Sequence, residues 1–281
     1  MSTISTIIFA GDGHGAIVAL KSLQEYFNSI EILSNDNEVL TLMRNCDKRV
    51  YSFFDTQTKI IVCAGYQEII DSQTLKHKTI INTHPSLLPK YRGLHGLVWA
   101  MLNFEEELGF TIHLMNEYID DGDILEQYKI KYNGETSKEI MDKFDKYVEK
   151  NLGRVVKSFL AKELMPIKQD KSQATWVPRR NIEDCIIDFS WNKKFLDRFF
   201  KALVRPYPLP MLKVKDKLYE VDGYEFIQID YYTHLGRVVN IENSKAYIKT
   251  QDGLLIVNKL IEFESKKSYL ANEVLRLGMR L

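Results

Sequence analysis

Hydrophobic and polar residues alternate in blocks along the first 135 residues of the chain. Short apolar runs of strand length are separated by segments whose apolar residues recur at helical spacing. Strands are predicted at 5–11, 30–34, 59–65, 79–84, 109–116 and 123–132, and helices at 16–27, 37–46 and from about Ser137 to Ala161. Because the first strands are apolar on both faces and alternate with helices, the pattern predicts an α/β fold, a Rossmann-like, mostly parallel sheet with flanking helices.

The pattern changes after Leu164. Residues 166–210 show little periodicity apart from a short helix at 192–204, which the proline-rich stretch RPYPLP ends. From Met211 onward, β-type segments alternate with turn residues. We therefore predict three parts, namely a main domain at 1–165, a linker and helix packed on it at 166–210, and a small C-terminal β domain of a reduced OB-like type at 211–281.

Charge and composition narrow the range of partners. The chain has 38 Lys plus Arg and 38 Asp plus Glu, so no overall field attracts nucleic acid or an anionic membrane. No apolar run approaches the ~20 residues that a membrane span needs, and the amino terminus lacks the features of a signal peptide. We expect a cytoplasmic protein, with its three cysteines buried as small apolar residues and no zinc site.

One stretch, INTHPSLLPKYRG at 81–93, combines polar side chains with a stiff loop. Asn82 and His84 lie at the end of a predicted strand, and alternation places both side chains on one side of it. In open parallel sheets, functional residues gather at the carboxyl ends of the strands. A capping asparagine and a structural histidine are the alternative, but the pair, the prolines behind it and the cationic KYR favour an active site.

A second stretch, NEYIDDGDIL at 116–125, holds three aspartates around one glycine. It could be a plain acidic turn. It could bind a divalent cation, although it lacks the ligand spacing of an EF-hand. It could also bring one carboxylate to His84 and raise the pKa of that imidazole toward neutrality.

Together these stretches resemble the folate-dependent formyltransferases. Asn82-x-His84, the SLLPKYRG that follows and the IDDGDI downstream carry the resemblance, which covers roughly residues 5–205. The family includes methionyl-tRNA formyltransferase, glycinamide ribonucleotide transformylase and the sugar-nucleotide N-formyltransferases. The resemblance implies a catalytic triad of Asn82, His84 and Asp120 and formyl transfer from N10-formyltetrahydrofolate to an amine, without a metal.

The resemblance also implies contacts to the folate. CAGYQEIID at 63–71 is similar to the family's pterin-side loop, which implies folate contacts by Gln67, Ile69 and Ile70. A role in the core is the alternative for the two isoleucines. Ile119 and Asp121, which flank Asp120, are assigned to the same folate site.

Three further groups are candidates for binding the amine-bearing substrate. The glycine loop at 9–20 could hold an anion or could be a tight turn, and in related enzymes it faces that substrate. The segment 176–210, which begins with WVPRR, is similar to the junction of sugar-nucleotide formyltransferases, although its two arginines could be solvated charges. The candidates are Gly13, His14, Lys90, Tyr91, Arg92, Arg179 and Arg180.

The resemblance therefore implies an N-formyltransferase for a nucleotide-linked amino sugar. Within that class the expected substrate is dTDP-4-amino-4,6-dideoxyglucose or its 3-amino isomer, for a surface polysaccharide such as O-antigen, and a homodimer is expected. Methionyl-tRNA formyltransferase is the alternative enzyme. However, the C-terminal module from Arg205 has 12 Lys plus Arg against 10 Asp plus Glu, and this net charge is small for a module that binds tRNA. The alternative of another class is a folate- or nucleotide-binding protein without turnover.

Overall fold

The structure is a computed structural model that describes residues 6–281, so Ser5, the first residue of the first predicted strand, lies outside the described residues. Contacts divide the chain into two compact units. The first comprises the chain up to Ala100, Glu105–Tyr132 and Glu139–Arg179, and the second comprises Met101–Phe104, Asn133–Lys138 and Arg180–Leu281. The division predicted from sequence, at 165 and 210, stays a prediction.

The first unit contains a seven-stranded sheet in the order β3-β2-β1-β4-β5-β7-β8. Its strands are β1 (Thr6–Ala10), β2 (Ser29–Leu33), β3 (Lys48–Arg49), β4 (Ile60–Cys63), β5 (Thr79–His84), β7 (Glu107–Leu114) and β8 (Ile124–Lys131). The first five pair in parallel, while β7 runs antiparallel to β5 and β8 antiparallel to β7. Two short strands, β6 (Arg92–Gly93) and β9 (Trp176–Val177), form a separate parallel pair.

Four helices lie between strands of this sheet in the chain, and a fifth, long helix follows its last strand. They are α1 (His14–Tyr26), α2 (Asn37–Thr41), α3 (Ser72–His77), α4 (Gly96–Leu102) and α5 (Ser137–Leu160). The helix predicted at 37–46 ends five residues early, at Thr41. Beyond it, Arg44 and Asp47 bond to each other and to groups of neighbouring segments, with Arg44 Nη1 donating to the Gln24 carbonyl at 2.9 Å. These side-chain bonds fix a non-helical path that apolar periodicity does not reveal.

The apolar runs form the core as their pattern predicts. Ile8 and Ala10 of β1, Ile61 of β4 and Ile80 of β5 pack in one buried cluster on the sheet. Cys63 and Cys185 are buried, but Cys46 is exposed, so the expectation that all three cysteines are buried is wrong for Cys46. It lies in the same irregular segment after α2.

The second unit is mainly antiparallel β structure. One sheet has the order β10-β11-β16-β17 and another the order β12-β15-β14-β13. The strands are β10 (Met211–Val214), β11 (Lys217–Val221), β12 (Tyr224–Gln228), β13 (Val238–Glu242), β14 (Lys245–Lys249), β15 (Gly253–Val257), β16 (Lys259–Glu262) and β17 (Ser268–Leu270), with helices α6 (Lys193–Ala202) and α7 (Ala271–Val274).

The predicted fold class, a mostly parallel α/β sheet with flanking helices plus a C-terminal β module, is confirmed. Within residues 6–281, every helix is too short or too polar to cross a membrane.

Candidate active site

Asn82 and His84 occupy the carboxyl-terminal end of β5, a strand between β4 and β7. Asn82 pairs with Cys63 on β4 and with His113 on β7. The two residues are two positions apart, so their side chains project to the same side of the sheet. His84 is buried and Asn82 is half-buried.

The loop after β5 is held from beneath by polar side chains of the two antiparallel strands. Thr111 Oγ1 donates to the Ser86 carbonyl at 2.7 Å and accepts from the Leu88 amide at 3.2 Å. Gln127 Nε2 donates to the Leu88 carbonyl at 2.8 Å and to Thr111 Oγ1 at 3.0 Å. The loop's position is therefore set by β7 and β8 as well as by its own prolines.

The two ring nitrogens of His84 have different neighbours. Nε2 lies 2.9 Å from the Tyr91 carbonyl and donates to it, since a carbonyl can only accept. Nδ1 lies 3.5 Å from Asp120 Oδ2. In the neutral ring, Nδ1 is therefore an unprotonated base facing a carboxylate. The bond to Tyr91 fixes this tautomer.

The pKa of His84 is lowered, not raised. Burial disfavours the imidazolium and lowers the pKa, and this outweighs Asp120 and the Tyr91 carbonyl, which raise it. The expectation that a carboxylate reaches His84 agrees with the geometry, but the expected direction of the pKa change is wrong, because the ring is buried. His84 is thus neutral at physiological pH.

Asp120 lies between two histidines. Its Oδ2 accepts from the Gly93 amide at 2.8 Å, and its Oδ1 lies 3.5 Å from His113 Nε2. Burial acts to raise the pKa of Asp120, but its polar surroundings, among them the donating Gly93 amide, hold it at about 2. Asp120 therefore carries a fixed negative charge in this buried place at neutral pH.

The backbone of the acidic turn is also held in place. Asp120 has a left-handed φ of 51°, and Gln169 Nε2 donates to the carbonyls of Asp120 at 2.8 Å and Gly122 at 2.7 Å. A Cβ on Gly122 would lie 1.9 Å from the Leu114 carbonyl oxygen, so only glycine fits there. The turn is thereby locked with the Asp120 carboxylate toward the histidines.

Sequence reasoning missed His113. It lies in β7, is fully buried, and contacts Asn82 at 3.3 Å and Asp120 at 3.5 Å. Its signal in the sequence was a histidine within the apolar stretch GFTIHLMN. The antiparallel register that places it opposite Asn82 could not be read from that stretch.

Asp121 points to a different set of partners from its neighbour Asp120. Arg92 Nη1 lies 2.7 Å and Lys171 Nζ 3.2 Å from its carboxylate, and the Arg92–Asp121 pair is buried. Although burial acts to raise the pKa of Asp121, Asn116, Lys171 and Arg92 keep it below its usual value. Two residues assigned to different ligands, Arg92 to the amine-bearing substrate and Asp121 to folate, are here paired with each other.

Lys90 and Tyr91 contact a common acidic partner. Lys90 Nζ lies 3.0 Å and the Tyr91 hydroxyl 2.8 Å from Glu105 Oε1. Both line a cavity of about 280 Å³ formed by the loop at 85–91 and residues of β7 and β8. The Tyr91 carbonyl, rather than its ring, contacts His84.

Carboxylates of the protein itself contact the glycine loop. The Gly13 amide donates to Asp36 Oδ2 at 2.8 Å, and this bond lowers the pKa of Asp36. His14 Nε2 lies 3.0 Å from Asp145 Oδ2. An anionic ligand at this loop would have to displace Asp36 from the amide.

The candidates for folate binding differ in exposure. Gln67 is exposed, and the side chains of Ile69 and Ile119 are 99% and 70% exposed, so none of the three is needed for the core. Ile70 instead packs in the core cluster that contains Ile61. The alternative role in the core therefore fits Ile70 and not Ile69.

The paired arginines separate at the boundary between the units. Arg179, in the first unit, is exposed. Arg180, in the second, is buried and donates from Nη2 to the Asp184 carbonyl at 3.1 Å and to Cys185 Sγ at 3.3 Å. The alternative that the arginines are solvated surface charges therefore does not hold for Arg180.

Across residues 6–281, no group of three or more His, Cys, Asp and Glu side chains has the arrangement of a metal site.

Comparison with known proteins identifies the family. The formyl transferase family model matches residues 38–156, and the model of the formyl transferase C-terminal domain matches residues 181–277. GDP-perosamine N-formyltransferase of Brucella melitensis is 31% identical over 189 residues, which cover 63% of this chain and 68% of that protein. Methionyl-tRNA formyltransferase of Clostridium novyi is 24% identical over 298 residues, which cover 96% of each chain.

Solved structures share the fold. HypX of Aquifex aeolicus in complex with tetrahydrofolic acid has a TM-score of 0.70 at 18% identity, covering 98% of this chain. The chain spans about half of HypX, 47% of its length. An N-formyltransferase of Helicobacter canadensis, solved with folinic acid and dTDP-3-aminofucose, has a TM-score of 0.67 at 18% identity, covering 95% of this chain and 100% of that one.

The chain belongs to the formyl transferase family. The family expected from the motif at 81–93 and the acidic turn is thereby confirmed, and so is the expected class of enzyme, an N-formyltransferase.

Proposed function

We propose that this chain transfers the formyl group of N10-formyltetrahydrofolate to the amino group of a nucleotide-linked amino sugar. One observation carries the chemistry, namely a neutral His84 whose free Nδ1 faces an ionised Asp120 beside the Asn82 amide. Folates bound to HypX and to the Helicobacter canadensis enzyme support the formyl donor.

Asn82 stabilises the charge that forms on the reacting carbonyl. The acceptor amine attacks the formyl carbon, a C–N bond forms, and the carbonyl oxygen becomes an oxyanion. Asn82 donates a hydrogen bond from Nδ2 to this oxygen. Loss of one such donor typically raises the barrier by about 3 kcal/mol.

His84 moves the proton. Its Nδ1 takes the proton that the attacking nitrogen loses and then gives it to N10 of the folate as the C–N10 bond breaks. Asp120 stabilises the imidazolium that exists between these two transfers. No net proton is gained or lost by the protein, so one turnover leaves the triad as it began.

Relatives of the chain support the choice of acceptor. GDP-perosamine N-formyltransferase, at 31% identity, and the Helicobacter canadensis enzyme, solved with dTDP-3-aminofucose, support a nucleotide-linked amino sugar. Within that class we propose a dTDP-linked 3- or 4-amino-dideoxyhexose for a surface polysaccharide, and a cytoplasmic homodimer. Methionyl-tRNA is the second candidate, because the Clostridium novyi enzyme is similar over 96% of both chains.

The test is a formyl-transfer assay with N10-formyltetrahydrofolate against dTDP-, UDP- and GDP-linked amino sugars and, separately, methionyl-tRNA. We expect turnover of one sugar nucleotide, lost in Asn82→Ala and retained in Asn272→Ala, an exposed asparagine of the second unit. Formylation of methionyl-tRNA with every sugar nucleotide unreacted would support the second candidate. Folate binding without transfer to any acceptor would support a binding protein instead. Sedimentation of the purified protein tests the homodimer.

A further inference from the structure

His113 contacts two of the three triad residues from the neighbouring strand. Its Nε2 lies 3.3 Å from Asn82 Nδ2 and 3.5 Å from Asp120 Oδ1, and its ring lies edge-on to that of His84 with centroids 6.5 Å apart. The side chain is 1% exposed. It therefore meets the reacting groups from within the sheet, without access to solvent.

The protonated nitrogen of His113 follows from its other contact. Nδ1 lies 2.7 Å from the Leu114 carbonyl oxygen, which can only accept, so Nδ1 carries the hydrogen. In the neutral ring, Nε2 then carries a lone pair and can accept a hydrogen bond. Of the two neighbours of Nε2, only the Asn82 amide can donate to it, since Asp120 is an acceptor when ionised.

This bond determines which end of the Asn82 amide faces His113. The carboxamide of an asparagine can rotate to exchange its oxygen and its NH₂ group. With an acceptor at Nε2, the NH₂ group faces His113, and one N–H of that group stays available to a ligand. With a donor at Nε2, the carboxamide oxygen would face His113.

We propose that His113 is a positioning residue that fixes the orientation of the Asn82 carboxamide, so that an Nδ2–H is presented to the formyl oxygen. The inference rests on the proposed function, because it assigns the role of Asn82 in that reaction. His113 touches neither substrate and acts through Asn82.

The kinetic test compares His113→Leu with His113→Gln, whose side-chain oxygen can accept from Asn82 in place of Nε2. We expect kcat of His113→Leu to fall about 10- to 100-fold with little change in KM for either substrate, and His113→Gln to recover most of that loss. In an Asn82→Ala background, His113→Leu should cause no further loss. A full further loss there, or equal kcat in wild type and His113→Leu, would overturn the proposal.

A second measurement needs no turnover and no folded variant at position 113. ¹⁵N spectra of histidine-labelled wild-type protein should show a buried ring with a protonated Nδ1 and an unprotonated Nε2, and the Nε2 signal should shift in Asn82→Ala. A ring protonated at Nε2 at pH 7.5 would overturn the inference. Failure of wild-type protein to transfer formyl to any acceptor refutes the proposed function separately, since the spectra still report the tautomer.

Discussion

At the scale of single residues, His84 and Asp120 have opposite protonation preferences in one small space. Burial keeps His84 neutral, while Asp120 stays ionised with a pKa of about 2 and accepts a hydrogen bond from the Gly93 amide. A neutral base beside a permanent negative charge is ready to accept a proton without first losing one. The resulting imidazolium is held in place by a charge that needs no rearrangement.

The pKa of His84 makes stability depend on pH. Because the pKa is lowered from 6.5 in the folded protein, the unfolded state takes up the proton first as the pH falls. The contribution of neutral His84 to stability is therefore complete above pH 6.5 and is lost below it. We measure the free energy of unfolding in urea at pH 7.5 and at pH 5.5. We expect it to fall less between these pH values in His84→Gln than in wild type. The exposed His77→Gln should behave like wild type in the same comparison.

Asp120→Asn tests the role of the charge. Asn keeps an oxygen for the Gly93 amide but cannot stabilise the imidazolium, so we expect kcat to fall about 100- to 1,000-fold. Since Asp120 raises the pKa of His84, its removal should also move the acidic limb of the rate profile to lower pH. An unchanged limb, measured from pH 5 to 8.5, would contradict the pairing of these two groups. Asp216→Asn, at an exposed position of the second unit, is the control.

The residues of the site differ in how well the sequence could predict them. Asn82 and His84 follow from strand alternation and the strand end, both of which are local. His113 and Thr111 depend on which strand pairs with β5 and in what register, and the sequence of β7 carries no sign of either. The lowered pKa of His84 could not be predicted either, because it is set by burial from segments distant in sequence.

At the scale of elements, α4 packs closely on His84. A Cβ on Gly96, the first residue of α4, would lie 3.0 Å from the Tyr91 carbonyl oxygen and 3.2 Å from His84 Nε2. These are the two atoms joined by the hydrogen bond that fixes the His84 tautomer. The start of the helix therefore limits how far this bond can move.

Gly96→Ala should separate activity from stability. The added methyl group pushes on the His84–Tyr91 bond, so we expect kcat to fall about tenfold or more, as for other small misplacements of catalytic groups. Thermal unfolding should change little, because alanine is favoured over glycine within a helix. Gly15→Ala, in α1 with no heavy atom within 4 Å of the new Cβ, is the control for stability. Wild-type kcat in Gly96→Ala would show that the loop containing Tyr91 moves to make room for the methyl group without loss of activity.

Thr111→Val removes the clamp under the loop after β5. Valine keeps the shape but loses the bonds to Ser86, Leu88 and Gln127, so buried backbone groups lose partners. We expect a destabilisation of about 1–3 kcal/mol in urea unfolding and a lower kcat. Thr233→Val, at a half-buried position of the second unit, serves as the comparison. Full activity at wild-type stability would mean that the prolines and Gln127 hold the loop without Thr111.

Elements with strong periodicity were predicted well, and those set by side-chain bonds were not. The strand at 79–84 and the helix from Ser137 have the predicted bounds or nearly so. Helix α2 ends early because Arg44 and Asp47 bind groups on other segments. The antiparallel direction of β7 depends on how the chain returns through α4, which apolar spacing does not specify.

At the scale of the whole molecule, the balanced charge bears on the acceptor. With 38 residues of each sign, the protein has no net field to draw a polyanion to its surface. Proteins that grip nucleic acid owe most of their non-specific affinity to phosphate neutralisation by Lys and Arg.

We therefore expect no measurable binding of tRNA that carries no amino acid at about 150 mM salt. The test is fluorescence anisotropy at protein concentrations up to about 10 μM. Turnover of the sugar nucleotide should fall only mildly as salt rises. Tight tRNA binding with a steep salt dependence would favour the methionyl-tRNA reaction over the sugar-nucleotide one.

Gln169 lies outside the strands of the seven-stranded sheet, yet it bonds to the carbonyls of Asp120 and Gly122 and accepts from Arg92 Nη2 at 2.7 Å. A fragment that stopped at the end of α5 would keep the whole seven-stranded sheet with Asn82, His84 and Asp120 but would lose the hydrogen bonds of Gln169. The part of the chain that contains every strand of the sheet is thus shorter than the part that also holds the acidic turn in place. In chimeras that exchange C-terminal modules between such enzymes, the crossover belongs after Arg179, where the first unit ends.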